Sequence, residues 1–199
     1  GAVASLDPLT GKLYWEVPFK VYGSVNPGIP VKSDNFLMVS TFNLGSMMMR
    51  LNQDRPGAEM IWRAPETATD VDTSGLHALF SPPILKNGVI YGICSYGQLR
   101  AVNVSTGERL WETQEAVSER ARFSSAFLVN VAGTDKYFIS NDRGDLIIAQ
   151  LTPEGYAALG DGGKGAHVHQ HVPFIIKFKQ TVFKTISFFI KFNRFLAVE

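Results

Sequence analysis

The chain of 199 residues carries 19 Lys and Arg against 18 Asp and Glu, with 18 Gly, 10 Pro and one cysteine. Its near-neutral balance argues against a nucleic-acid surface, which needs a basic stripe. A single Cys94 excludes an internal disulfide, and the Gly and Pro content with little helical periodicity suits an all-β domain. Charge is unevenly spread, however: residues 1–163 carry 13 basic against 17 acidic groups, and residues 164–199 carry 6 against 1.

Residues 1–15, GAVASLDPLTGKLYW, read as strand, tight turn, strand. Asp7 and Thr10 are placed to cap the turn, and Gly11 to take a positive φ there. Trp15 closes the second strand with a ring that must bury against something. The next unit starts at Asn26-Pro27-Gly28-Ile29-Pro30-Val31, read as an inner strand with Gly and Pro where backbones crowd. Residues 36–42, 47–51 and 59–62 follow as strands. Met47, Met48 and Met49 would suit a soft metal as thioethers, but consecutive strand residues point to alternate faces, so core filling is expected. Residues 46–62 repeat the first hairpin in worn form, with Asn52 at the capping position, Gly57 at the turn and Trp62 at the end.

The third unit has a long entry over 64–76, rich in Thr and Asp, of the kind that gathers on loop faces. Asp70, Asp72 and Thr73 before Gly75 loosely match a calcium loop without its full ligand spacing or closing Glu, so a solvated loop is expected. His77 reads as a structural histidine. Strands follow over 79–85 and 89–94, joined by the hairpin dipeptide Asn87-Gly88. Cys94, in the apolar run VIYGICSY, is expected to be a buried, inert thiol. Residues 97–111, GQLRAVNVSTGERLW, then repeat the first hairpin closely: Asn103 for Asp7, Thr106-Gly107 for Thr10-Gly11, Trp111 for Trp15. A charged connection over 115–122 leads to strands at 123–131, 136–140 and 146–151. Residues 144–159 give a last copy with Gly155 at the turn and Leu159 in the tryptophan place. Arg143-Gly144-Asp145 and Asn103-Val104-Ser105 spell an adhesion motif and a glycosylation acceptor, but both fall where the repeat itself demands a turn.

The turn glycines Gly11, Gly57, Gly107 and Gly155 step by 46, 50 and 48 residues, close to the period of a four-stranded propeller blade. The pattern Ser5-Asp7-Thr10-Gly11-Trp15 and Ala101-Asn103-Thr106-Gly107-Trp111 resembles the A-x-D-x-x-T-G-x-x-x-W repeat of the PQQ-like, quinoprotein-type β-propellers. The resemblance covers residues 1 to about 160. It implies an all-β propeller of four-stranded antiparallel blades, about three and a half of them present. Gly1 already stands in a third strand and no signal peptide precedes it, so the expectation is a fragment of a longer propeller. The alternative is a blade completed from the far end of the chain.

After Gly160 the repeat stops. Residues 161–165, DGGKG, read as a linker. His167, His169 and His171 share one face of an extended chain and are candidate zinc or copper ligands, though a solvated tract is the expectation. In the last 26 residues Lys177, Gln180, Lys184, Ser187, Lys191 and Arg194 step by three and four, as on a basic amphipathic helix able to lie on a membrane surface. No apolar run reaches the length of a span. The Phe, Ile, Lys and Asn bias also fits a reading frame that has left the true gene, which would make the tail non-native.

Two functions follow from the resemblance. The enzymatic relatives hold PQQ with calcium through a carboxylate–amide set, use an aspartate base, and commonly carry a vicinal cysteine pair; the aligned blades display no such set, and Cys94 is single. The non-enzymatic relatives are scaffolds, including the periplasmic propeller lipoprotein of outer-membrane protein assembly, which implies a cell-envelope location. The expectation is therefore a non-catalytic interaction module with no cofactor, holding other proteins on its loop faces. A dehydrogenase fragment or a ligand-sensing receptor domain is the alternative.

Overall fold

In the computed structural model, residues 1–20, 28–65, 69 and 74–159 are described. They form fourteen strands and, among the described residues, no helix. Strands β1 (Ala2–Leu6) and β2 (Leu13–Pro18) make a two-stranded sheet. Three four-stranded antiparallel meanders follow. The first is β3 (Val31–Ser33), β4 (Phe36–Thr41), β5 (Gly45–Leu51) and β6 (Ala58–Arg63). The second is β7 (Ile84–Lys86), β8 (Val89–Ile93), β9 (Leu99–Asn103) and β10 (Arg109–Thr113). The third is β11 (Ala126–Asn130), β12 (Lys136–Asn141), β13 (Leu146–Thr152) and β14 (Gly155–Ala158). The described residues thus make three and a half blades of a β-propeller.

The inner strands of the second and third blades are buried on both faces because these blades are sandwiched, and period-2 alternation decides which neighbour a residue meets. Strands β1, β2 and β11 instead alternate buried or half-buried positions with exposed ones. Met47 and Met49 pack with Val39, Trp15 and Val17 toward the first blade. Met48, between them in sequence, packs with Met38, Ile90 and Val102 toward the third. All three methionines are fully buried, each filling core on its own side. The largest seam joins the third and fourth blades, where Tyr91, Leu99 and Ala101 meet Leu128, Tyr137, Ile139 and Ile147.

One bond recurs in every complete blade. A residue at or next to the end of the third strand donates its N–H to the turn between the first two strands: Leu51 to the Asn35 carbonyl at 2.7 Å, Val104 to Gly88 at 2.9 Å and Leu151 to Asp135 at 2.9 Å. It ties the two hairpin turns of a blade together, so both lie on one face of the propeller, the turn face. The second-to-third strand turns and the connections between blades lie on the opposite, loop face.

Three strands are shorter than the alternation suggests. Residues 79–83 do not join β7, because Pro82 and Pro83 have no N–H to give a ladder. The strand placed at 123–131 begins at Ala126, since Phe123 has φ 75 and cannot lie in a strand. The inner strand placed at 26–31 begins at Val31; Gly28, Ile29 and Pro30 precede it, and Asn26 and Pro27 lie outside the described residues. The hairpin at Asn87-Gly88 forms with both residues left-handed, φ 50 and 79, as a two-residue type I′ turn requires.

Candidate functional site

The turn face is built from the repeat residues. Asp7 Oδ1 accepts the N–H groups of Leu9 and Thr10 at 2.9 and 2.8 Å. Asn103 Oδ1 accepts those of Ser105 and Thr106 at 2.8 and 3.1 Å. Thr10 and Thr106 each accept the N–H two residues on, from Lys12 and Glu108. Gly11 and Gly107 take φ 70 and 77. The two turns are the same object twice.

The worn copies differ. Asn52 caps nothing: its amide fills the space where a Gly57 Cβ would stand, while the Gly57 carbonyl accepts the Asn52 N–H at 3.0 Å. Gly155 sits in β14 paired with Thr152, and the turn is made by Pro153 and Glu154. Neither glycine is left-handed.

The tryptophans clamp neighbours. Trp62 Nε1 donates to the Val104 carbonyl at 2.7 Å, and Trp111 Nε1 to Thr152 at 2.8 Å, each reaching the next blade's turn. The Trp62 ring lies against Gly107, where a Cβ would stand 2.8 Å from it. Trp15, Trp62 and Trp111 are each half-buried and not fully enclosed, because they sit at the outer rim of their seams. Leu159, in the fourth tryptophan place, is half-buried as well.

Asp7 also accepts a 2.5 Å bond from the Tyr14 hydroxyl. That bond first, then the turn amides, hold its carboxyl down at about 2. All of this is structural chemistry of a turn. Tyr91 and Tyr156, in and beside the largest seam, are pushed up to about 12 chiefly by burial, and Tyr137 higher still. Buried tyrosines of this kind are packing groups that stay neutral.

The loop face is where sequence regularity ends. Phe42, in the turn between β4 and β5, is buried and stands 5.1 Å from Phe123, ring centre to ring centre. Phe80 meets Phe123 at 6.1 Å, edge on. The Arg122 guanidinium lies 5.1 Å from the Phe42 and Phe123 centroids alike, a doubled cation–π contact. Phe80 and Phe123 remain 51% and 47% exposed, and Ile29 beside Phe80 67%. A dimple of about 40 Å³ opens between Ile29, Met38, Leu79, Phe80 and Pro83.

Phe123 is held at its φ by a hydrogen bond from its N–H to the Ser95 carbonyl at 3.1 Å. A bulky residue in this region costs on the order of 1–3 kcal/mol. Here that cost holds a ring on the surface. Four segments from three blades meet in this cluster: 28–30 and the 42–45 turn from the second blade, 74–83 from the third, 114–125 from the fourth. The sequence reading passed over it, since Arg122 stood only as the end of a charged connection and Phe123 as the start of a strand.

Beneath the cluster, His77 and Cys94 are both buried. His77 Nδ1 lies 2.9 Å from the Phe42 carbonyl, a pure acceptor, so the ring donates there. The Cys94 sulfur receives the His77 N–H at 3.3 Å and an Arg100 N–H at 3.1 Å, and Arg100 pairs with Glu112 at 2.8 Å. This polar seam ties the second and third blades. Of the remaining candidates, His167, His169, His171, Asp70, Asp72 and Thr73 lie outside the described residues, as do the linker and tail at 161–199. Arg143-Gly144-Asp145 forms a tight turn with Gly144 at φ 84 and Asp145 bonded to Asn141.

Repeated four-stranded meanders joined by tryptophan clamps define a protein of the PQQ-like β-propeller class. The chain belongs to the family of the outer membrane protein assembly factor BamB, whose model matches residues 1–159. Among solved structures it is similar to BamB from Moraxella catarrhalis, with 16% identity and a TM-score of 0.55 over 80% of this chain. The match takes in 44% of that structure, so the chain spans less than half its length. No curated protein matches it significantly.

Proposed function

We propose that this chain is part of a non-catalytic propeller scaffold of the cell envelope, holding other proteins on its loop face. One observation carries the reading: an exposed cluster of Arg122, Phe123 and Phe80 from the connections of two blades, backed by the buried Phe42 of a third, with a strained backbone keeping a ring at the surface. Aromatic residues and arginine are the side chains most enriched at binding hot spots. Family membership supports the same assignment, because BamB is by name an assembly factor.

The alternative is a quinoprotein dehydrogenase. Among the described residues no three His, Cys, Asp or Glu side chains converge as a bound metal needs. The aspartate nearest the quinoprotein pattern, Asp7, is consumed by its turn. No feature of the described residues favours that centre over the scaffold, whose support is the aromatic cluster. The test is native-size fractionation of detergent-extracted envelopes carrying the full-length protein, beside reconstitution with PQQ and calcium. A high-mass assembly and no bound chromophore are expected. Migration at monomer size together with a quinone absorbance and dye reduction would overturn the assignment.

A further inference from the structure

We infer that a groove at the outer rim of the seam between the second and third blades is a binding site for a neutral oligosaccharide. The site is separate from the loop-face cluster and does not depend on the scaffold reading. Strands β6 and β10 are the outermost of their sheets. Between the end of β6 and the start of β10 lies an open groove of about 530 Å³, the size that holds a ligand of a few rings. Its floor is already satisfied. Arg100 donates to the Gly75 carbonyl and the Ser46 hydroxyl to that of Leu76, so neither carbonyl waits for a ligand. Trp62 lines the groove as a carbon surface, because its Nε1–H is spent on the Val104 carbonyl.

What the walls leave unbonded are side-chain groups of both kinds. Arg109, 40% exposed, gives one Nη to Glu112 at 2.9 Å, and that carboxylate is shared with the buried Arg100. Among the described residues its other nitrogens meet no acceptor. Glu108 takes the Thr106 hydroxyl at 3.3 Å on one oxygen and leaves the other open. The exposed Ser74 hydroxyl has no partner among the described residues. Donor, acceptor and hydroxyl beside an indole surface match a sugar, which carries C–H groups on its ring faces and hydroxyls, each both donor and acceptor, around its edge. The same groups set the charge of the ligand. Arg109 and Glu108 are one of each sign, and Arg63 on the wall already has an interaction of its own, so no excess charge calls for an anion. A peptide strand fits less well. Leu110 is the extra residue of a β-bulge in β10 and Pro65 lines the groove as well, and bulges and prolines keep added strands off a free edge.

The purified full chain is titrated calorimetrically with maltotriose, cellotriose and chitotriose, beside a sulfated trisaccharide and an acidic tripeptide, while NMR follows the three indole N–H signals. Expected is saturable binding of at least one neutral trisaccharide, with a larger shift at Trp62 than at Trp15 or Trp111. Its affinity should fall at least tenfold in Arg109→Gln and in Glu108→Ala, and less in Ser74→Ala, each with unchanged β-sheet circular dichroism. Arg143→Gln, in the fourth blade, should leave it unchanged. Should a variant unfold, the position of the indole shift in the unaltered chain still decides. No binding by any neutral trisaccharide, binding of the anionic probes alone, shifts centred on Trp15 or Trp111, or affinities indifferent to Arg109 and Glu108 would each overturn the inference. The envelope assembly that tests the scaffold reading is a separate measurement, so either reading can fail alone.

Discussion

The two faces of this propeller are built by different rules. On the turn face, Asp7 and Asn103 make the same hydrogen bonds 96 positions apart, because everything each needs lies within five residues of it. On the loop face, Phe42, Phe80, Arg122 and Phe123 come from three connections with no shared pattern. A local signal repeats and so can be read; an assembled one exists only after the blades have stacked. Stability should accordingly concentrate in the repeat residues, and recognition in the irregular ones.

The largest expected effect lies in the clamps. Replacing Trp111 by Ala should cost about 3 kcal/mol, read as a lower urea midpoint, through lost packing on Tyr91 and a lost bond to Thr152. Trp111→Phe separates the two contributions, since it keeps a ring and should cost about 1 kcal/mol. The two tight-turn glycines sharpen the comparison further. Gly107→Ala meets both a left-handed φ and the Trp62 ring, whereas Gly11→Ala meets the φ alone, with open space around it. The first should cost more than about 2 kcal/mol and the second about 1. Equal losses would show that the clamp onto Gly107 is not a real contact.

Two smaller effects concern titration. Tyr91 and Tyr156 are held up to about 12 by burial, while in the unfolded chain they ionise near 10. Stability should be level below pH 10 and fall as pH rises from 10 toward 12, because the unfolded state loses those protons first. A chemical-denaturation series across that range reads it, and a flat profile would remove these rings from the seam. Asp7 works in the opposite sense. Its carboxyl titrates near 2 in the fold against a usual 3.8, so its contribution is present above pH 4 and fades toward pH 2. Asp7→Asn, the side chain that Asn103 already carries, should erase that dependence with little other change, and carboxyl NMR titration checks it directly.

The spacing of Trp, Gly and the capping residue, read without any structure, marks the repeats and the two tight turns at Asp7 and Asn103, and the strand period sends Met48 one way and Met47 and Met49 the other. These are properties of three to fifteen neighbouring residues, and local geometry enforces them. Where the reading missed, tertiary contacts had the last word. Gly155 fell into a strand because Pro153 and Glu154 could turn the chain without it. The segment before Ile84 left the sheet at two prolines, and Phe123 turned left-handed because the Ser95 carbonyl and the Phe42 ring across the blade boundary hold it there. No window of sequence contains those partners together. The scaffold is local and legible, whereas its candidate binding surface is made by residues that meet only when three blades stand side by side.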